Sequence, residues 1–134
     1  MATYPLSEAY VDGDVLTAAN VNSITEGVND LAFGQFNAQT GTTYTLALTD
    51  VAKVVTLSNA AAITLTVPPE SSVAWPAGTT IVLAALGAGT VTVTEGSGVT
   101  VNSVGDAVDI GAQYGVATLL KTGTDTWLLF GNLA

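Results

Sequence analysis

The chain has 134 residues, half of them hydrophobic and only 10% charged, with eleven carboxylates against two amines and a net charge of −9. That length suits one domain with an appendage, large enough to bury about two-thirds of its unfolded surface. The acidic balance excludes the basic footprint of a nucleic-acid binder and disfavours an anionic membrane surface. The lack of His and Cys removes the commonest general base, the thiol nucleophile, disulfides and thiolate metal sites.

Residues 1–13 follow neither the helical nor the strand period. Pro5 biases Tyr4 towards an extended conformation, and Tyr4, Leu6 and Tyr10 supply apolar anchors. The segment reads either as a frayed terminus or as an extended arm that docks on a neighbour.

Residues 14–34, DVLTAANVNSITEGVNDLAFG, are the one stretch with a helical pattern. Thr17 can accept from the free amides of the first turn as N-cap, and Asp12 and Asp14 precede it where the positive helix end favours carboxylates. Val21, Ile24, Val28 and Leu31 are spaced three, four and three apart, the narrow seam of a coiled coil. Gly34 suits the terminator position. Gly27 inside the pattern costs about 1 kcal/mol against alanine, and isolated helices this short are marginal in water. The helix therefore needs a partner, either the chain's own β-domain or the same helix from sister copies.

Residues 35–41, QFNAQTG, read as a linker. From residue 42 onwards the period becomes two: Tyr44, Leu46 and Leu48 alternate with Thr43, Thr45 and Ala47, and Ile63, Leu65 and Val67 alternate with Thr64 and Thr66. Pro68-Pro69 ends that run, and a long irregular loop continues through Trp75-Pro76-Ala77-Gly78. Residues 79–86 are almost continuously apolar and read as a strand buried on both faces. Gly87-Ala88-Gly89 reads as the turn into residues 90–94, and Gly96-Ser97-Gly98 as a hairpin turn into residues 99–102. A short strand is expected at 107–110, and a final pair at 116–121 and 126–130. The expectation is a mainly β protein: a β-sandwich or barrel-like domain of seven or eight short antiparallel strands at 42–134, preceded by the arm and one short α-helix. No internal sequence repeat is visible.

Chemistry is hard to compose from these residues. A nucleophile elbow needs glycines two before and two after its serine, and Glu95 and Val99 stand there around Ser97. Gly87-Ala88-Gly89 leads into a strand pattern, not the helix of a dinucleotide site. Asp50, Glu70, Glu95, Asp106 and Asp125 fall at turns, where solvated loop charges are expected rather than a glycosidase pair. Asp12-Gly13-Asp14 has too few oxygen ligands in series for a calcium loop. Trp75, Tyr114 and Trp127 are candidates for a sugar-stacking platform, with Trp127 in an apolar strand better suited to the core. No enzyme activity, cofactor or metal is expected.

The phrase Gly13-Asp14-Val15-Leu16-Thr17-Ala18-Ala19-Asn20-Val21-Asn22, continued by Ile24 to Leu31, resembles a "G-x-x-L-T-A-x-x-[VL]-N" segment of bacteriophage virion proteins, where it opens a short helix ahead of a fibre or decoration domain. Tyr44-Thr45-Leu46, Ile63-Thr64-Leu65-Thr66-Val67-Pro68, Gly89-Thr90-Val91-Thr92-Val93 and Asp125-Thr126-Trp127-Leu128-Leu129 resemble pieces of phage fibre and head-decoration modules. The resemblance implies a homo-trimer whose N-terminal part attaches to the particle and whose β-domain projects. It makes a capsid decoration (cement) protein on the major capsid protein shell the leading expectation. A tail fibre or tail-tip module binding a host-surface receptor or glycan is the alternative. In the leading case Tyr4, Leu6 and Tyr10 dock on the particle, and Val21, Ile24, Val28 and Leu31 pack copies or the β-domain together. Neither nucleic acid nor membrane is an expected partner. No run approaches the ~18 apolar residues of a membrane span and the N-terminus lacks a signal-peptide pattern, so assembly in the host cytoplasm and residence on the capsid exterior are expected.

Overall fold

The computed structural model describes residues 35–134, and the stretch Gln35–Ala134 forms a compact unit by itself. The expected arm at 1–13 and helix at 14–34 lie outside the described residues.

Ten strands follow one another: β1 (Phe36–Gln39), β2 (Thr43–Thr45), β3 (Val54–Leu57), β4 (Ile63–Val67), β5 (Thr80–Ala85), β6 (Val91–Glu95), β7 (Thr100–Asn102), β8 (Asp109–Ile110), β9 (Val116–Gly123) and β10 (Thr126–Gly131). They form a six-stranded sheet ordered β1-β3-β5-β9-β10-β7 and a four-stranded sheet ordered β2-β4-β6-β8. The chain therefore crosses from one sheet to the other at every step from β1 to β9. Strands β1, β3 and β5 are parallel, as are β2, β4 and β6. Three successive strand pairs thus wind as stacked coils, a short solenoid. The return needed between parallel strands is supplied by the strand in the opposite sheet.

This corrects the expected antiparallel architecture. Among the described residues, antiparallel strand pairing is confined to β5 with β9, β9 with β10 and β6 with β8, beside one isolated antiparallel bridge between Ile110 and Leu133, while β7 joins β10 in parallel. Phe36–Gln39, inside the stretch read as a linker, is the strand β1 that pairs with β3. Gly87-Ala88-Gly89 and Gly96-Ser97-Gly98 are not hairpin turns. The first carries the chain from the six-stranded to the four-stranded sheet, and the second carries it back.

The core lies where the two sheets meet in one cluster. Val55, Leu57, Ile81, Leu83, Ala85, Ala117, Leu119, Trp127 and Leu129 come from one sheet, and Ile63, Leu65, Val67, Val91, Val93 and Ile110 from the other. Register stacks them in rows, Val55 beside Leu83 beside Ala117, and Ile63 beside Val91 beside Ile110. Each fully buried Leu or Val is worth about 1.5–3 kcal/mol, and period-two alternation holds each row on one face.

The corners of the coils stack as tightly as the strands. Asn59 donates from Nδ2 to the Thr40 carbonyl at 2.8 Å and accepts from the Ala61 amide at 2.8 Å. Gly89 donates its amide to the Asn59 carbonyl at 2.8 Å. A Cβ at Gly87 or Gly89 would collide with the backbone of Asn59 or Ala61. These glycines are required by close approach of one coil to the next.

Candidate functional site

Tyr4, Leu6, Tyr10, Val21, Ile24, Val28 and Leu31, the expected docking and packing residues, lie outside the described residues, as do Asp12 and Asp14. Among the described residues, no group of three or more His, Cys, Asp and Glu side chains is placed to hold a metal ion. Four other features remain.

The first sits inside the opening coil. The register that puts Leu83 beside Val55 puts Asn37 next in the same row, and Gln39 next to Leu57. The apolar rows therefore end in amides. Asp50, at the end of a 3-10 turn (Leu48–Asp50), is fully buried between them. Its Oδ1 accepts from Asn37 Nδ2 at 2.7 Å; its Oδ2 accepts from the Tyr44 hydroxyl at 2.6 Å and the Ala47 amide at 2.8 Å. Asn37 Nδ2 also donates to the Tyr44 oxygen at 2.8 Å, and Gln39 Nε2 donates to Asn37 Oδ1 at 2.8 Å. Burial, then the hydrogen bond and charge of Asp50, push the Tyr44 hydroxyl up to about 12, with Asn37 opposing. Sequence reading took Asp50 for a solvated loop charge. Its side-chain partners lie six and thirteen positions away, and the one local partner, the Ala47 amide three positions earlier, leaves no pattern that distinguishes it from a turn carboxylate.

The second feature replaces the expected platform of three aromatics. Trp75 and Trp127 are buried and meet edge to face, with centroids 5.4 Å apart and rings at 89°. Between them and the surface lies Lys121, on the inward face of β9 opposite Trp127 and only 2% exposed. Its Nζ donates to the Trp75 carbonyl at 2.5 Å and pairs with Glu70 at 3.4 Å. The Gly78 amide donates to the Lys121 carbonyl at 2.7 Å, and the Glu70 amide to Asp125 Oδ1 at 2.6 Å. The irregular loop between β4 and β5 is thereby stapled under the six-stranded sheet. Both ends of this ion pair are used structurally.

The third is a shallow cavity of about 400 Å³ lined by residues 111–115, Asn132 and Leu133. Tyr114 stands at its rim, 73% exposed, with a left-handed φ of 69° that the hydrogen bond from its amide N–H to the Ala85 carbonyl holds. Of the three aromatics weighed as a sugar platform, Tyr114 alone is at the surface.

The fourth is the contrast between the outer faces of the two sheets. On the four-stranded sheet, Thr43, Thr64 and Thr92 form one row that ends at Asp109, and Thr45, Thr66 and Thr94 form the next. Thr92 donates to Asp109 at 2.6 Å. On the six-stranded sheet, Phe36, Val54, Val82, Thr118 and Phe130 form one row, flanked by Ala38-Thr56-Ala84-Val116 and by Thr80-Leu120-Leu128-Asn102. Not one residue of these three rows is charged. Phe36, Val116, Leu128 and Phe130 are exposed.

Compared with protein-family models, with curated proteins and with solved structures, the chain matches none.

Proposed function

We propose that this chain is a non-enzymatic structural protein of a bacteriophage virion, a decoration (cement) protein of the capsid. Residues 1–34 dock it on the major capsid protein shell and on sister copies as a homo-trimer, and residues 35–134 form the projecting body. The sequence phrase from Gly13 to Asn22 is the root of this reading. The observation that supports it in the fold is that Gln35–Ala134 is a compact unit by itself. With the core closed among residues 35–134, the reading assigns Tyr4, Leu6, Tyr10 and the Val21–Leu31 seam to intermolecular work. Its mechanism is interfacial: each docked copy adds buried area that resists separation of the shell proteins. The alternative, a tail-tip module for a host glycan, draws on Tyr114 standing exposed beside Gln113 and Asn132, an aromatic face next to amide groups.

Co-sedimentation with heads that lack this protein tests the proposal. Full-length protein is expected to pellet with heads, and protein without residues 1–13 to stay in solution while keeping its fold. Three anchors at about 1.5–3 kcal/mol each when fully buried amount to several powers of ten in affinity. Undiminished binding by the truncated form would make the arm dispensable, and no binding by the full-length form would point to the tail.

A further inference from the structure

We infer that the outer face of the six-stranded sheet is a homotypic interface, meeting the same face of a second copy of this chain. The inference stands apart from the virion reading and from the contact assigned to the Val21–Leu31 seam.

Pattern is the first support. Strands β5, β9 and β10 read TIVLAA, VATLLKTG and TWLLFG, apolar on both sides. Strands of that kind are ordinarily covered on both faces, whereas a half-exposed sheet alternates apolar with polar. The four-stranded sheet of the same molecule follows the second rule, with six threonines and Asp109 outward. The six-stranded sheet follows the first, yet among the described residues its outer face is only partly covered: Thr56 and Ala84 are buried between their neighbours, while Phe36, Val116, Leu128 and Phe130 stay exposed. Phe36, at 74% exposure, and Phe130, at 46%, end the same outward row.

Charge selects the occupant. The chain carries −9, so two copies repel wherever carboxylates approach within a Debye length, about 8 Å at physiological salt. Among the described residues, Asp50 and Lys121 point inward, Lys53, Glu70, Asp106 and Asp125 sit on loops or turns outside the strands, and Glu95 and Asp109 belong to the four-stranded sheet. The three rows of the six-stranded sheet therefore form a broad surface on which this acidic chain can meet itself without opposing carboxylates. A basic partner would find nothing there to recognise.

Size agrees. Six strands at ~4.8 Å spacing span about 24 Å between the outermost axes, and five or six residues span about 17–20 Å along them. A single helix, about 10–12 Å wide, leaves half of that width bare, while an equal sheet covers it by aligned face-to-face packing. The footprint, on the order of 500 Å² per partner, falls below the ~600–1,000 Å² per partner of a standard interface and in the range of weak, transient contacts. Weak, reversible association is expected, with the two-fold, self-complementary contacts of an isologous pair.

Sedimentation equilibrium of the full chain at several concentrations and salt levels is the test. Wild type is expected to self-associate reversibly, more tightly as sodium chloride screens the net charge. The pair Val82→Glu and Phe130→Glu should weaken that association at least 30-fold. The charge-matched pair Thr64→Glu and Thr94→Glu, on the other sheet, should change it by less than threefold. Urea midpoints of both pairs show whether each remains folded, and Leu128→Glu alone replaces the first pair if it does not. A wild type that stays monomeric at several hundred micromolar in high salt overturns the inference. So does equal weakening by the two pairs, or an oligomer abolished by Ile24→Glu and indifferent to Val82→Glu and Phe130→Glu.

Discussion

Replacing Asp50 probes the polar end of the core most directly. Asp50→Ala removes the common acceptor of the Tyr44 hydroxyl, Asn37 Nδ2 and the Ala47 amide. A buried donor left without a partner costs about 1–3 kcal/mol. Tyr44, Asn37 and Ala47 are each half-buried, so water reaches them and the low end applies, giving a total of about 3–5 kcal/mol. Asp50→Asn should cost only about 1–2 kcal/mol. Its remaining oxygen can still accept from Tyr44 and Ala47, and its new NH2 meets Asn37, whose amide presents oxygen there once it and Gln39 turn over together. Tyr44→Phe combined with Asp50→Ala should fall short of additivity by more than 0.5 kcal/mol, the threshold for groups in one network. Urea unfolding followed by tryptophan fluorescence is the assay, since Trp75 and Trp127 are both buried. Asp50→Ala within about 1 kcal/mol of wild type, at unchanged m-value, would refute the claim that this carboxylate organises the first coil.

The same cluster sets an alkaline limit. Tyr44 ionises at about 12 in the fold against 10.0 for the free side chain, so the folded state holds its proton more tightly than the unfolded one. Its contribution is complete below the unfolded value and is lost as pH rises from about 10 to about 12. Tyr44→Phe should flatten that part of the stability curve, and a curve unchanged by the substitution would remove Tyr44 as the cause. Lys121→Met should cost about 1–3 kcal/mol, because its stem keeps the packing while the Trp75 carbonyl loses its donor and the part-exposed Glu70 stays solvated; Lys121→Ala should cost roughly 2 kcal/mol more by leaving a hole beside Trp127. Equal losses in chemical denaturation would mean that the cation, not the stem, holds the loop. Gly89→Ala should cost at least about 3 kcal/mol, since its Cβ would strike the Ala61 carbonyl. Gly98→Ala, at a φ of 78° with nothing within 4 Å, should cost about 1–2 kcal/mol from backbone strain alone. Thermal melts showing the reverse order would contradict the close stacking of the corners.

Strand positions were legible because alternation is a local signal: Ile63, Leu65 and Val67 point inward as their spacing predicts. The short strand at Asp109–Ile110 was legible too. Pairing was not, because a short glycine-rich connection looks alike whether it folds a strand back on itself or hands it to another sheet. Gly87 and Gly89 were read as turn residues; their requirement comes from Asn59 and Ala61, some thirty positions earlier. The winding also lacks a sequence repeat, since the second coil carries the whole loop that delivers Trp75 to the core. β1 was hidden for a different reason. Its inward positions are Asn37 and Gln39, so it has no apolar alternation to detect.

Asn37 and Gln39 bear on how the stack ends. A parallel winding with a continuous apolar core presents raw edges and bare hydrophobic rows at both ends, which invites uncontrolled growth. Two different devices meet that problem here. At the late end, β9 and β8 run antiparallel to β5 and β6, so the chain reverses direction and no further parallel coil can be added in register. At the early end, β1 and β2 are the edge strands among the described residues, and the rows that contain Val55 and Leu57 change to amides closed over a buried carboxylate. Apolar side chains there would leave a surface onto which another coil could stack. Asn37, Tyr44 and Asp50 instead satisfy one another, so an added apolar row would have to break three hydrogen bonds to form. The polar first coil is thus a cap written in side chains, and it limits how copies can add at that edge. The uncharged outer face of the six-stranded sheet carries no such protection.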